Sequence, residues 1–478
     1  MIFFMSLIAQ DATISGTVSH SLGKASSANV YLKGTTIGTT TDNNGSFILS
    51  NIPTGNYVIV ASFVTYESDE KNLSIKSNDN IEINFFLNRD QKKMKEVVVT
   101  GTMKPVSRLE SPVPVEVFTA RFFKSNPTPS IFEALQNING VRPQVNCAIC
   151  NTGDIHINGL EGSYTMVLID GMPIVSGLST VYGLNGIPQS LIERVEIVKG
   201  PASTLYGSEA VGGLINVITK KITNAPIISA DIFDTSWGEL NIDVAAKFSV
   251  GLRSESLLGM NYFKFNQRID NDDDNFTDVA LQDRISIFNK WNFKRKDNRI
   301  FTIAGRYVFE DRFGGDKDWN PKFRGSDIIY GESIWTNRWE VFGAYQLPTK
   351  ERMILQFSAN NHDQNSVYGN TRYIADQKIG FGQLTWYKTL STKHDLLAGL
   401  TMRYTYYDDN TTATEISNIE NKENVPTHTR LPGIFFQDEI TLNESNKILF
   451  GMRYDYNSIH GSIYTPRFNY KWNSEDKK

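Results

Sequence analysis

Cysteine is nearly absent. The 478 residues contain two, Cys147 and Cys150, too few for disulfides to frame the fold. Also missing is any apolar run of about 18 residues or more, which excludes a transmembrane helix. It does not exclude a strand-built membrane protein, because barrel strands alternate and average out to a polar composition. Neither sign of charge is in excess. The 48 basic and 52 acidic residues leave a net charge of −4, and no nucleic acid partner is expected. Catalytic constellations are missing as well. His20, His156, His362, His394, His428 and His460 fall in no HExxH or HxxE pattern, and there is no GxSxG elbow. No catalytic residue is therefore assigned, an enzyme is not expected, and no cofactor is required.

What the chain does have is strand-forming material: aromatics make up 12%, with 20 Tyr and 28 Phe. Its length predicts several units. Residues 1–10 (MIFFMSLIAQ) read as a partial signal peptide, apolar with a small-residue site near Ala9 but without a basic start. Residues 11–90 form the first unit. Strand-like runs at 13–18, 29–33, 46–49, 57–63 and 81–87 are separated by turn clusters such as Asp42-Asn43-Asn44-Gly45. That spacing predicts a small antiparallel sandwich. The string "ISGTV…ANVYLKGTTIGTTTDNNGSFILSNIPTGNYVIVASFVTYES" resembles the carboxypeptidase-regulatory-like domain, a transthyretin-like β-sandwich. No peptidase is implied, since no catalytic pattern accompanies it.

Residues 91–105 form a charged linker containing Glu96, Val97, Val98, Val99 and Thr100 before Gly101. Three successive β-branched residues make a short extended segment with unpaired edges, suited to joining a partner's sheet as an added strand. On the residues alone a core strand of a neighbouring unit is an equal alternative. In its position, between an N-terminal extension and the next unit, the segment resembles the TonB box of TonB-dependent receptors.

Residues 106–222 follow that resemblance as an α/β plug domain. Ser130 or Thr128 opens a helix on which Ile131, Leu135 and Ile138 share one face, and Gly140 ends it. Strands are expected at 165–170 and 194–199. The string "LIERVEIVKGPASTLYGSEAVGGLINVITK" resembles the C-terminal plug signature of TonB-dependent receptors over its whole length, and "LIDGMP" agrees. One departure is Asn158-Gly159, where the family usually shows an arginine before the glycine.

Residues 223–478 alternate as a lipid-facing sheet would. Leu396, Ala398, Leu400, Met402, Tyr404 and Tyr406 fall on one face, and Leu397, Gly399, Thr401, Arg403 and Thr405 on the other. The same holds for Ile448, Phe450, Met452, Tyr454 and Tyr456 against Leu449, Gly451, Arg453 and Asp455. Aromatics outward and charge inward suit a barrel in lipid. Short turns at 296–298, 349–351 and 444–446 alternate with long polar connections at 270–283, 311–333 and 408–430. At roughly 20 residues per strand with its connection, about 12 strands are expected, part of the 22-stranded antiparallel transmembrane barrel the family implies. The chain is thus expected to be C-terminally truncated.

Asp270–Asp278 (DNDDDNFTD) offers carboxylates for calcium but lacks EF-hand spacing, and a solvated loop is the simpler expectation. Cys147 and Cys150 follow the plug helix, in the segment that the resemblance places at the extracellular plug apex. They can form a local disulfide, serve no special role, or hold a soft metal such as Cu(I) or Zn with His156 and Met166. The resemblance implies a Gram-negative outer-membrane protein driven by TonB, taking up an iron-siderophore, haem, cobalamin or another metal complex through the plug apex. Cys147, Cys150 and His156 are the apex cargo candidates. The sandwich together with "EVVVTG" looks like the Bacteroidota style of these receptors, which keeps open a glycan importer paired with a surface lipoprotein. A non-transporting outer-membrane adhesion protein is the reading from another class.

Overall fold

The computed structural model describes residues 12–20, 23–63, 66–88, 96–147, 152–175, 183–418, 421–443 and 445–473. The signal-peptide residues 1–10, the linker residues 91–95 and Cys150 lie outside them. Two compact units separate: residues 1–97 with 107–109, and residues 98–106 with 110–478.

In the first unit, strand Ala12–His20 pairs with Ser46–Ile52 on one side and with Asn80–Glu82 and Phe85–Leu87 on the other. Its facing sheet runs Gly38–Thr40, Asn29–Leu32, Gly55–Ser62, Asp69–Ile75. Ile14, Val18, Leu32, Phe47, Ile59 and Phe85 fill the space between the sheets. The Asp42 carboxylate closes the Asn-Gly turn by accepting from the N–H groups of Asn44 and Ser46, both at 2.8 Å. Two features depart from the expected sandwich. The pairings of Ala12–His20 with Asn80–Glu82 and Phe85–Leu87 are parallel, so the sheet is mixed rather than antiparallel. Asp69–Ile75 (DEKNLSI) is a strand despite its charges, because it is an edge whose outer side faces water.

Gly16 sits where that parallel pairing is interrupted. A Cβ there would stand 1.7 Å from the Ile83 carbonyl oxygen, and a backbone atom cannot step aside as a side chain can. Gly16→Ala is expected to destabilise this unit by about 3 kcal/mol through overpacking. Chemical denaturation should show an earlier first transition, and an unshifted midpoint would contradict the close approach.

In the second unit a five-stranded sheet runs Glu116–Thr119, Ile192–Val198, Gly213–Thr219, Thr165–Ile169, Met172–Val175. Only Thr165–Ile169 and Gly213–Thr219 pair in parallel. All five residues of Thr165–Ile169 are buried, as an apolar run on both faces requires. The helix is short, Ile131–Ala134, and tightens into a 3-10 turn at Leu135–Asn137. Its cap is Ser130, whose hydroxyl accepts from the Glu133 N–H, and Gly140 stops it at φ +73°. Beyond it Val141–Cys147 pairs with Thr152–Ile157 in a hairpin.

Twelve antiparallel strands follow in sequence order from Ile228–Asp234 to Gly461–Trp472, interrupted only by the small hairpin Glu415–Asn418 with Asn421–Asn424. Among the described residues the first and last of the twelve each pair on one side only. The alternation is as expected. Leu400 is 57% exposed and Phe468 67%, while Arg338 and Asp455 are 1% exposed. No helix among the described residues is long and apolar enough to cross a membrane. The inner face of the sheet packs on the plug, where Ala245, Leu257, Phe288, Ala304 and Phe342 join Ile131, Leu135 and Ile155 in one core.

The loop expectations need correction. Strand Phe301–Gly315 and strand Gly331–Gln346 run well into the polar stretch read as the 311–333 connection. Arg312 and Ser333 are buried lumen-facing strand residues, which look like loop residues in a one-dimensional pattern. The rhythm of short and long connections also breaks, since Arg352–Tyr368 turns directly into Thr371–Thr389 through Gly369 and Asn370.

Candidate functional site

Of the two readings of the 96–100 segment, a strand with unpaired edges or a core strand of a neighbouring unit, the structure has it docked. Val97–Val98 pairs with Val106–Ser107, so its edge is partly occupied. Val98 is fully buried in a cluster with Val113, Val115, Val198 and Leu214. The N–H groups of Val99 and Thr100 donate to Glu196 Oε2 at 3.0 and 2.9 Å, and the Thr100 hydroxyl donates to the same oxygen. Glu196 is completely buried in the middle of the plug sheet, and Arg194 holds its other oxygen at 2.7 Å. Asn216 Nδ2 donates to Thr100 Oγ1 at 2.9 Å, and Tyr206 donates to the Thr100 carbonyl at 3.0 Å. Desolvation, reinforced by the nearby Glu196 charge, pushes the Tyr206 pKa up, so the phenol stays protonated as the donor. Every polar group of Thr100 is thus satisfied by the plug.

Residues that follow are tied to the sheet where its connections are short. Lys104 Nζ contacts Asp395 at 2.5 Å and Glu439 at 2.9 Å, beside the connections 390–393 and 442–445. Tyr387 donates to the Met103 carbonyl, and Lys471 to that of Ser111. The docked segment thus lies at the end of the sheet that carries the connections 390–393 and 442–445.

The plug is held along the sheet by a repeated device. Arg284, Arg306 and Arg453 each pair with a carboxylate of the sheet itself, respectively Glu310 (3.5 Å), Glu340 (2.7 Å) and Asp455 (2.6 Å). Each arginine gives a remaining N–H to a plug carbonyl: Arg284 to Pro129 at 3.0 Å, Arg306 to Gly183 at 2.6 Å, Arg453 to Leu205 at 3.2 Å. If the plug moved, each guanidinium would keep its carboxylate, and only a neutral carbonyl would be exchanged for water. At these three positions no buried charge would be stranded, which avoids the several kcal/mol that breaking such a pair costs.

At the other end of the plug lies a cavity of about 700 Å3. The plug lines it with Asp154, His156, Glu161, Met166 and Glu209, and the sheet with Gln377 and Arg403 among others. His156 is half-buried and opposite Arg142 in the hairpin. Cys147 ends the first strand of that hairpin, opposite Thr152, while Cys150 lies outside the described residues. His156 and Met166 thus share one cavity wall. Elsewhere, Asp270, Asp272 and Asp278 bring carboxylate oxygens within 4.8 Å of one another. Lys317 contacts Asp270 at 3.0 Å and holds its carboxyl below the usual range.

The roles of Glu196, Asn216, Arg403 and Gln377 were not anticipated from sequence. Glu196 did carry a signal: a carboxylate between Val195 and Ile197 in an apolar strand must find a buried partner.

Comparison with known proteins agrees with this architecture. Residues 14–99 match the CarboxypepD_reg-like domain, and residues 107–214 match the TonB-dependent Receptor Plug Domain. The iron-regulated outer membrane virulence protein of Vibrio cholerae is 25% identical over 387 residues, covering 76% of this chain and 55% of that protein. The vitamin B12 transporter BtuB of Vibrio cholerae is 23% identical, covering 64% of this chain and 52% of that protein. The chain spans about half the length of the curated relatives it matches. Among solved structures, a variant of the ferric enterobactin receptor PfeA from Pseudomonas aeruginosa superposes with a TM-score of 0.59 at 17% identity, covering 78% of this chain and 61% of that one. The siderophore receptor PirA from Acinetobacter baumannii gives a TM-score of 0.57 at 18% identity, covering 76% and 59%. The chain thus carries a region similar to the TonB-dependent Receptor Plug Domain and one similar to the CarboxypepD_reg-like domain, its relatives are outer-membrane proteins, and its plug and twelve strands share the fold of solved outer-membrane receptors.

Proposed function

We propose that this fold serves energy-coupled uptake of a scarce nutrient, a metal complex such as an iron-siderophore, haem or cobalamin, across the outer membrane. Cargo binds in the apex cavity. TonB then grips Glu96, Val97, Val98, Val99 and Thr100 as an added strand and pulls the plug aside. The observation that carries this reading is the placement of the two sites at opposite ends of one plug. Met166 lines the cavity and also belongs to the buried cluster that holds Val98, so cargo and docked segment bear on the same packing. The cavity has the volume of a site for one small molecule, which favours a chelate over a long glycan. Arg284, Arg306 and Arg453 keep their own carboxylates when the plug leaves, so the ion pairs that must break include those of Lys104, Lys290 and Arg403.

Accumulation of labelled metal complex by cells making the protein tests this. It is expected to require TonB and to stop when the proton gradient is collapsed. Uptake that persists in the absence of TonB would contradict the reading. In the same assay Cys147→Ser/Cys150→Ser is expected to lower uptake of a soft-metal cargo on the order of tenfold, through loss of two thiolate ligands. Unchanged uptake of copper, zinc, iron-chelate and haem would remove the thiols from cargo handling.

A further inference from the structure

Resting on the reading of 96–100 as the coupling strand, we infer that Asn216 links its docking to a charged anchor of the plug on the twelve-stranded sheet, so that withdrawing the segment loosens the anchor. Asn216 stands opposite Glu196 on the neighbouring strand of the plug sheet, and both are completely buried. Its carboxamide is engaged at both ends. Nδ2 donates to the Thr100 hydroxyl oxygen at 2.9 Å, and Oδ1 accepts from the Gly171 N–H at 3.0 Å. Gly171 belongs to the tight turn after Thr165–Ile169, where Asp170 has φ +50° and Gly171 φ +80°. The Asp170 carboxylate closes that turn on the next strand, accepting from the Thr219 N–H at 2.8 Å and the Thr219 hydroxyl at 2.7 Å. Lys290, on the strand Leu281–Phe293 of the larger sheet, donates to Asp170 Oδ2 at 2.8 Å and to Thr219 Oγ1 at 2.6 Å. A hydrogen-bonded chain therefore runs from Thr100 through Asn216, Gly171 and Asp170 to Lys290. A carboxamide is planar, so turning it to re-pair one end moves the other. While Thr100 is docked, both ends are fixed and the Gly171 N–H is held. Once Thr100 leaves, the buried Nδ2 has lost its acceptor, a cost that drives the group to turn toward another. Oδ1 then leaves Gly171, the turn loses its backbone tie, and Asp170 is free to part from Lys290. The anchor stays closed until a partner has taken the segment. Such coupling is reciprocal, so breaking the anchor must in turn loosen the segment.

Thiol labelling of the purified full chain in detergent tests this, in a Cys147→Ser/Cys150→Ser background with Val99→Cys as reporter. Lys290→Met, outside the segment, is expected to accelerate labelling by a bulky, water-soluble reagent about fivefold, the low end of ordinary coupling between sites. Asp170→Asn removes the charge of the same pair from the plug side, with a residue that tolerates positive φ, and is expected to do likewise. Lys290→Arg, which keeps the charge, should stay within about twofold of the unaltered chain. Asn216→Leu keeps the volume but cuts the link, while Thr100 retains its bonds to Glu196. In that variant, adding Lys290→Met should change the rate by less than about twofold. A second reporter, Ala134→Cys, is buried in the plug off this chain and is expected not to respond to Lys290→Met. Equal acceleration at both reporters would mean general loosening and overturn the inference. So would the absence of acceleration in both Lys290→Met and Asp170→Asn, or a Lys290→Met effect that survives in Asn216→Leu. Neither TonB nor cargo is present, so coupling measured here, alongside uptake that needs no TonB, would uphold the link while overturning the transport reading.

Discussion

Replacing Glu196 by glutamine is expected to release the docked segment without any cargo present. The buried carboxylate oxygen accepts from two backbone N–H groups and one hydroxyl, and a carboxamide cannot accept from all of them through both of its atoms. Loss of these charge-assisted bonds costs about 3 kcal/mol, on the order of a hundredfold in the fraction of molecules with the segment undocked. Arg194 does not become an unpaired charge, because Glu193 remains at 2.7 Å. The plug sheet should therefore survive, and the effect should be local. A cysteine at Val99 reports it. Its labelling by a bulky, water-soluble thiol reagent should accelerate by one to two orders of magnitude in the Glu196→Gln background, the range set by that energy. A rate within about twofold of the unaltered background would mean that Glu196 does not hold the segment.

The lock also explains why the segment is buried at all. An exposed run of β-branched residues with open edges would pair with any available strand. Docking its donors on a buried carboxylate keeps it from doing so, while the hydrogen bonds remain weak enough to exchange for a partner's ladder.

Some of this was legible in the residues and some was not, for physical reasons. The alternation at 396–406 and 448–456 was readable because a strand in lipid exposes every second residue to an apolar solvent, which leaves a period of two in the sequence. Thr165–Ile169 was readable because it is a nearly unbroken apolar run, as a strand buried on both faces favours. The edge strand Asp69–Ile75 was not, since a strand with one free side tolerates charge. Arg312 and Ser333 were misread as loop because a polar lumen and an aqueous loop impose the same composition. The candidate coupling residues were read as a strand, with a core strand of a neighbouring unit as the alternative, but the group that docks them was hidden. Val99 and Thr100 meet a carboxylate 97 and 96 residues away, and no local pattern encodes that distance. The plug-holding role of Arg284, Arg306 and Arg453 was hidden for another reason: their plug partners are backbone carbonyls, which every residue possesses.

The central claim is that work reaches the plug through the 96–100 segment. Uptake by cells making the unaltered protein, Val98→Ala or Val98→Pro tests it most directly. Both variants lose packing from the cluster of Val113, Val115, Val198 and Leu214, about 2 kcal/mol for the alanine. Only proline also removes the N–H and fixes φ, which bars the segment from a partner's sheet. The account predicts that surface expression and cargo binding persist in both, that the alanine variant retains most of its uptake, and that the proline variant falls by at least about a hundredfold, as loss of an obligatory strand pairing requires. Uptake by Val98→Pro equal to that of Val98→Ala would contradict it.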